Sequence, residues 1–288
     1  MARFINPFSD WGFKKIFGQE IKKDLLINFL NDLLEGEHHI KDLTFKDKEQ
    51  LPELQDMRGI IYDIYCITDK GEHVIVEMQN RYQPYFTDRS LFYSARNIVN
   101  QGVKGAKWDY MLAPVYTVCF LNYDMDEFTP VKFRTDVALM DMNDKTLFSD
   151  RIRLVYLMLP LFSKEEDECE NDFERWIYIL KNMSTFERMP FQARNAVFKK
   201  LSEITDISAL SHEEREKYDE SLKYMRDYNA SLEGAKIIGH REGLQAGKKE
   251  GLLESQANIA RMMLNDGESI DKIMRYTGLT EDQIKQLN

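Results

Sequence analysis

The chain has 288 residues, 43% hydrophobic and 31% charged, with 17 Phe and 14 Tyr. This is composition that can bury a core rather than stay disordered. No apolar run approaches the ~20 residues that cross a bilayer, and the first residues lack an apolar signal core. Cys66, Cys119 and Cys169 lie far apart with no C-x-x-C pair, which excludes a disulfide framework and a cysteine zinc site and points to a reducing cytoplasm. The net charge of −10 argues against nonspecific grip on a polyanion.

In chain order, Ser9 or Asp10 can cap a helix through Phe17, because their side-chain oxygens accept the free amides of a first turn. From Gln19 to Leu34, the apolar residues Ile21, Leu25, Phe29 and Leu33 recur every fourth position and predict one face of an amphipathic helix. Ile40 to Phe45 reads as a short strand. Ile60 to Thr68 and His73 to Gln79 are rich in β-branched and aromatic residues and flank Asp69-Lys70-Gly71; they read as a β-hairpin. Thr87 to Gln101 predicts a helix with Leu91, Ala95 and Ile98 on one side. Val115 to Leu121 suits a central buried strand, Lys132–Leu139 and Arg151–Leu159 two further strands, and Asp172–Lys181 and Phe191–Leu201 two helices. Alternating strands and helices define an α/β domain, taken as residues 1–205.

Beyond Asp206 the character changes. Residues 206–254 form a charged, helix-prone linker in which Gly234, Gly239, Gly243, Gly247 and Gly251 recur at nearly every fourth position. Lys236, Arg241, Lys248, Lys249 and Glu250 lie between them, so a solvated stalk is the plain reading. Residues 255–288 read as a small helical unit. A stripe of Ile259, Met262 and Met263 precedes a helix, a turn at Thr277-Gly278-Leu279 and a helix capped by Thr280, the outline of a helix-turn-helix. Its second helix carries Glu281, Asp282 and only one lysine, which favours protein contact or self-association into a homo-oligomer over groove binding.

Asp63 and Glu77 are isolated acids in apolar strands. A two-residue turn at Lys70-Gly71 would put them on opposite faces. A three-residue loop with Gly71 at positive φ pairs Thr68 with Glu72 and sets Asp63 opposite Glu77. Gln79 then shares their face, because side chains alternate with period two. Two facing carboxylates repel each other unless a hard cation with oxygen ligands lies between them. The competing reading is an ordinary hairpin with both acids in water.

Asp63, then Glu77-Met78-Gln79 after thirteen residues, resembles the D-x(n)-(E/D)-x-K signature of PD-(D/E)XK nucleases with Gln in place of Lys. The set Asp10, Phe13-Lys14-Lys15-Ile16-Phe17-Gly18, Val76-Glu77-Met78-Gln79, Asp88-Arg89-Ser90-Leu91-Phe92-Tyr93 and Pro114-Val115-Tyr116 is similar to the Rpn group, the PD-(D/E)XK family transposases or recombination-promoting nucleases. The resemblance implies a restriction-endonuclease-like mixed sheet flanked by helices, with an all-helical C-terminal extension. It implies a Mg2+-dependent (or Mn2+-dependent) DNA endonuclease linked to recombination or mobile DNA. Asp63 and Glu77 would be metal ligands, and Gln79 and Asp10 would complete the catalytic set. Lys14, Lys15, Arg81 and Arg89 are candidates to contact DNA and to replace the missing lysine charge. The absent lysine and the negative charge also leave room for a catalytically inert scaffold of the same fold. No P-loop exists, the five His show no metal spacing, and the Phe and Tyr residues read as core rather than a stacking platform.

Overall fold

A computed structural model describes residues 2–36, 39–47, 49–50, 59–102, 109–125 and 131–287. The chain divides into two compact units, residues 1–222 and 223–288. The strands of the first unit are β1 (Leu43–Phe45), β2 (Glu49–Gln50), β3 (Ile60–Ile61), β4 (Ile64–Thr68), β5 (His73–Gln79), β6 (Val115–Leu121), β7 (Arg134–Met140) and β8 (Leu147–Met158). Its helices are α1 (Asp10–Phe17), α2 (Lys23–Leu33), α3 (Phe86–Val99), α4 (Asp172–Asn182) and α5 (Ala196–Thr205), followed by the start of α6 (His212–Asn265).

Six strands form one mixed sheet in the order β1-β4-β5-β6-β8-β7, while β2 and β3 pair separately. β5, β6 and β8 run parallel at the centre. β4, β1 and β7 add antiparallel edges. All seven residues of β6 are buried, as a strand covered on both faces requires. Tyr116, Val118 and Phe120 point to one face, where they meet Phe13, Phe17, Phe29 and Trp176 of α1, α2 and α4. The rings of Phe29 and Phe120 stand 5.1 Å apart and those of Phe17 and Trp176 5.8 Å apart. Cys119 and Leu121 point to the other face, against Phe86 of α3. The three cysteines are free and buried.

Three helices and one strand differ from the sequence reading. α2 begins at Lys23, after a tight turn over Glu20–Lys22. The turn breaks the helical period, so Ile21 is 91% exposed while Leu25, Phe29 and Leu33 are buried. In α3 the buried residues are Phe86, Ser90, Ser94 and Asn97, and Leu91 faces water. The sheet and the β3–β4 break beneath supply polar partners: Ser90 Oγ shares a hydrogen bond of 2.6 Å with Tyr156 Oη, Ser94 Oγ one of 2.7 Å with Thr117 Oγ1, and Asn97 Nδ2 donates to Tyr62 Oη at 2.7 Å. Buried polar groups with partners are tolerated, so here polar complementarity, not an apolar stripe, selects the packed face. α5 likewise starts at Ala196 rather than Phe191, whose φ of 61° lies in the left-handed region. β8 starts at Leu147, four residues before the expected Arg151.

Tyr218 near the start of α6 is buried in the core of the first unit, and its hydroxyl accepts from the Asn6 amide at 2.8 Å. The second unit holds the rest of α6, then α7 (Ile270–Thr277) and α8 (Glu281–Lys285). α6 runs unbroken through residues 254 and 255. The core of this unit is Ala260, Ile273, Leu279 and Ile284, with Met263 beside them. Ile259 and Met262, expected on the buried stripe, are exposed. Gly278 ends α7 at φ 72°, and Thr280 caps α8 with a reciprocal bond from Gln283, the usual chemistry of a helix stop and restart. Among the described residues no helix is long and apolar enough to cross a membrane.

Candidate active site

The β4–β5 hairpin adopts the three-residue loop. Thr68 N donates to Glu72 O at 2.9 Å, Gly71 has φ 81°, and Ile64 pairs with Val76. This register brings residue 63 opposite residue 77. The run Ile60–Thr68 is not one strand, however. It breaks at Tyr62-Asp63, which separates β3 from β4. Asp63 therefore sits at a bend, free of the ladder, and clamps its neighbour strand from there. Its amide donates to Glu77 Oε1 at 3.3 Å, and its own Oδ2 accepts from the Met78 amide at 2.8 Å.

Alternation along β5 sends Val74 and Val76 into the large core and turns Glu77 and Gln79 to the α3 face. Glu77 is 1% exposed, and Gln79 is also buried. The Gln79 side chain hydrogen-bonds Glu77. From α3, Arg89 Nη2 approaches Glu77 Oε2 at 3.4 Å. The guanidinium is fixed by Nε donating to Tyr93 Oη and Nη1 donating to Gln83 Oε1, both at 2.9 Å, and it lies over the Tyr93 ring at 5.1 Å. The polar contacts of α3 with the sheet thus set the position of the cation beside the carboxylates.

Burial raises both acids. The Glu77 carboxyl is pushed up to about 8, first by desolvation and then by the Asp63 charge, against the opposing pull of Arg89. Asp63 is raised by desolvation and held back by its bond from Met78 and by the charges of Lys14 and Arg89. Two acids that resist ionising together are a feature of functional sites. Their carboxylate oxygens form an all-oxygen donor set that suits a hard cation. Among the described residues no group of three or more His, Cys, Asp or Glu is arranged to hold a metal ion. Two carboxylates fit Mg2+, which keeps much of its water and often takes only one or two protein carboxylates.

The other expected residues divide. Ser9, not Asp10, caps α1: its Oγ accepts from the Gly12 amide at 3.1 Å. Asp10 instead forms an ion pair with Lys14 one turn on, and both charges act on Asp63, Lys14 favouring its ionised form and Asp10 opposing it. The structure thus brings Asp63, Glu77, Gln79 and Arg89 together, with the Asp10–Lys14 pair near enough for its charges to act on Asp63. Lys15 does not join them. Its side chain is 6% exposed, pairs with Glu214 of α6 and lies 5.4 Å from the Trp11 ring centroid. Arg81 follows β5 and is half-buried. Gln83 and Tyr93 were not singled out from sequence. Tyr93 stands four residues after Arg89 on a helix, a spacing that puts the two side chains together; Gln83 lies in a loop and carries no such signal.

A mixed sheet covered by helices on both faces, with two carboxylates meeting across its hairpin, defines the restriction-endonuclease-like α/β class. Residues 7–235 match the family described as PD-(D/E)XK nuclease family transposase, and residues 253–288 match the Rpn/YhgA-like nuclease family C-terminal HTH domain. The chain belongs to the PD-(D/E)XK nuclease family transposases. No curated protein and no solved structure gives a match.

Proposed function

We propose that this chain is a divalent-metal-dependent DNA endonuclease that serves recombination or mobile DNA by hydrolysing phosphodiester bonds. The observation that carries the reading is the pair of half-buried Asp63 and buried Glu77, whose acids are raised by desolvation and lie beside a cation on a neighbouring helix. Asp63 and Glu77 would hold Mg2+ or Mn2+. A bound ion of this kind lowers the pKa of a coordinated water and offsets charge on a phosphate.

Gln79 stands where the family signature has lysine. Its amide orients a water by hydrogen bonding but brings no charge. Arg89 and Lys14 flank the carboxylates and supply that charge, with Asp10 holding Lys14 in place. Arg81, next to the end of β5, contacts phosphate farther along the strand. Lys15 belongs to the packing of α1 on α6 rather than to DNA. The C-terminal unit serves self-association: its short last helix exposes Glu281 and Asp282, and Lys285 is tied to Glu281 at 2.6 Å. One observation favours a second reading, an inert scaffold of the same fold: Arg89 already provides Glu77 with an internal counter-ion.

The test is cleavage of supercoiled plasmid in Mg2+, Mn2+ or EDTA by wild type, Asp63→Asn, Asp63→Ala and Glu77→Ala. Metal-dependent nicking by the wild type alone supports the endonuclease. Cleavage that survives both alanine changes sinks the site assignment, and no cleavage of any DNA form supports the scaffold.

A further inference from the structure

The face of α3 that leaves Arg89 pointing at Glu77 also opens a cleft of about 670 Å³, within the range of ligand sites. Its lining includes Ile61, Gln83, Tyr85, Arg89, Phe92 and Tyr93, with Asp88 as its one carboxylate among the described residues. Three of these are apolar or aromatic groups left in water: Tyr85 is 77% exposed, Ile61 64% and Phe92 46%. Arg89 belongs to both places. It lines the cleft and stands 3.4 Å from Glu77, while Gln83 and Tyr93 of the cleft wall fix its other nitrogens. The cleft is therefore one guanidinium away from the carboxylates.

Tyr85 carries a second signal. It precedes α3 with φ 62° and ψ 27°, the left-handed conformation, which glycine adopts without the strain a bulky side chain incurs. The residue makes no side-chain cap for the helix, and its ring recovers almost no burial. Backbone strain retained at an exposed aromatic points to a use for that ring.

The chemistry of the lining selects the occupant. Exposed rings offer flat apolar faces for stacking, the Gln83 amide can hydrogen-bond a base edge, and Arg89 adds a cation at the side nearest the carboxylates. Aromatic platforms beside a positive charge are how proteins hold unpaired bases. A base inside a duplex reaches such a cleft only by leaving its stack, at a cost of a few kcal/mol; a single strand offers it freely. We propose that this cleft stacks an unpaired base next to the scissile phosphate, so that the enzyme acts on single-stranded or locally opened DNA in preference to intact duplex. The inference rests on the endonuclease reading above and adds the form of DNA to it.

The test measures fluorescence anisotropy of a labelled 15-nucleotide single strand and of the same sequence as a blunt duplex. The full-length chain carries Asp63→Asn so that binding is read without cleavage. Tyr85→Gly and Phe92→Ala are added separately. Tyr85→Gly relieves the strained backbone, so thermal melting at or above the parent value shows that its fold is intact. The single strand should bind at least tenfold tighter than the duplex, and each change should weaken single-strand binding about fivefold or more, the scale of losing one stacked base, with duplex binding within twofold. Equal affinity for the two forms, or single-strand binding untouched by both changes, overturns the proposal. If the wild type cleaves duplex plasmid in those circumstances, the endonuclease reading stands without it. Absence of binding and cleavage for every DNA form overturns both.

Discussion

Replacing Glu77 by Gln isolates the electrostatics of the site. Glu77 is buried, and its carboxyl moves from 4.5 to about 8, first through desolvation and second through Asp63. At about 1.4 kcal/mol per pH unit this corresponds to about 5 kcal/mol; relaxation and entry of water reduce the expectation to roughly 2–4 kcal/mol. The folded state binds this proton more tightly than the unfolded chain. The wild type in EDTA should therefore lose stability as pH rises from about 4.5 to about 8, and lose no more on this account above that. Glu77→Gln copies the protonated form and removes this part of the slope. Thermal melts at pH 5 and 8.5 should show the wild type falling by roughly 5–15 °C more than the variant, at about 2–4 °C per kcal/mol for a chain of this size. At pH 8.5, Mg2+ should raise the wild-type melting temperature and leave that of Glu77→Gln nearly unmoved, because only a ligand that binds the folded state stabilises it. Parallel pH profiles for the two proteins, or an equal response to Mg2+, would refute the argument that ionised Glu77 is a buried charge that Arg89 offsets only in part and a further cation stabilises.

Asp32 of α2 titrates in the same direction for the same two reasons, away from the candidate site. It is half-buried, its Oδ2 has no hydrogen-bond partner among the described residues, and desolvation followed by the Asp172 charge lifts it to about 6. Asp32→Asn should gain about 1–2 kcal/mol over wild type at pH 7.5, after allowance for solvent screening, and nothing near pH 4, which paired melts at the two values would show. Gly12→Ala should destabilise by about 2–4 kcal/mol, since its Cβ would stand 2.1 Å from the Asn6 carbonyl oxygen and force backbone to move; urea titration reads this, and a change below 1 kcal/mol refutes the close approach. Light scattering should give the full chain a multiple of 34.0 kDa and give a chain ending at residue 236 a single copy, whereas an unchanged assembly state removes the C-terminal unit from self-association.

Local rules account for much of what was legible. The hairpin register follows from turn chemistry: Gly71 at positive φ closes a three-residue loop, which brings the bend at Asp63 beside Glu77, and period two puts Gln79 on the Glu77 face. The buried β6, the Thr280 cap and the Gly278 stop are likewise written in nearby residues. What the sequence could not decide depends on groups far apart in the chain. Lys14 and Lys15 are adjacent and chemically alike, yet one acts on Asp63 while the other is buried against Glu214, almost two hundred positions away. Only the docking of α6 on α1 separates them. Leu91 and Ile98 form a plausible apolar stripe on α3, but the sheet offers Thr117 and Tyr156 and the β3–β4 break offers Tyr62, and hydrogen bonding to those groups turns Ser90, Ser94 and Asn97 inward instead. That rotation directs Arg89 at Glu77 and leaves Phe92 in the open cleft. The sequence by itself determined the carboxylate pair, because strand period and loop length are local; tertiary structure decided which cations and rings surround it, because those are set by the partners each helix meets.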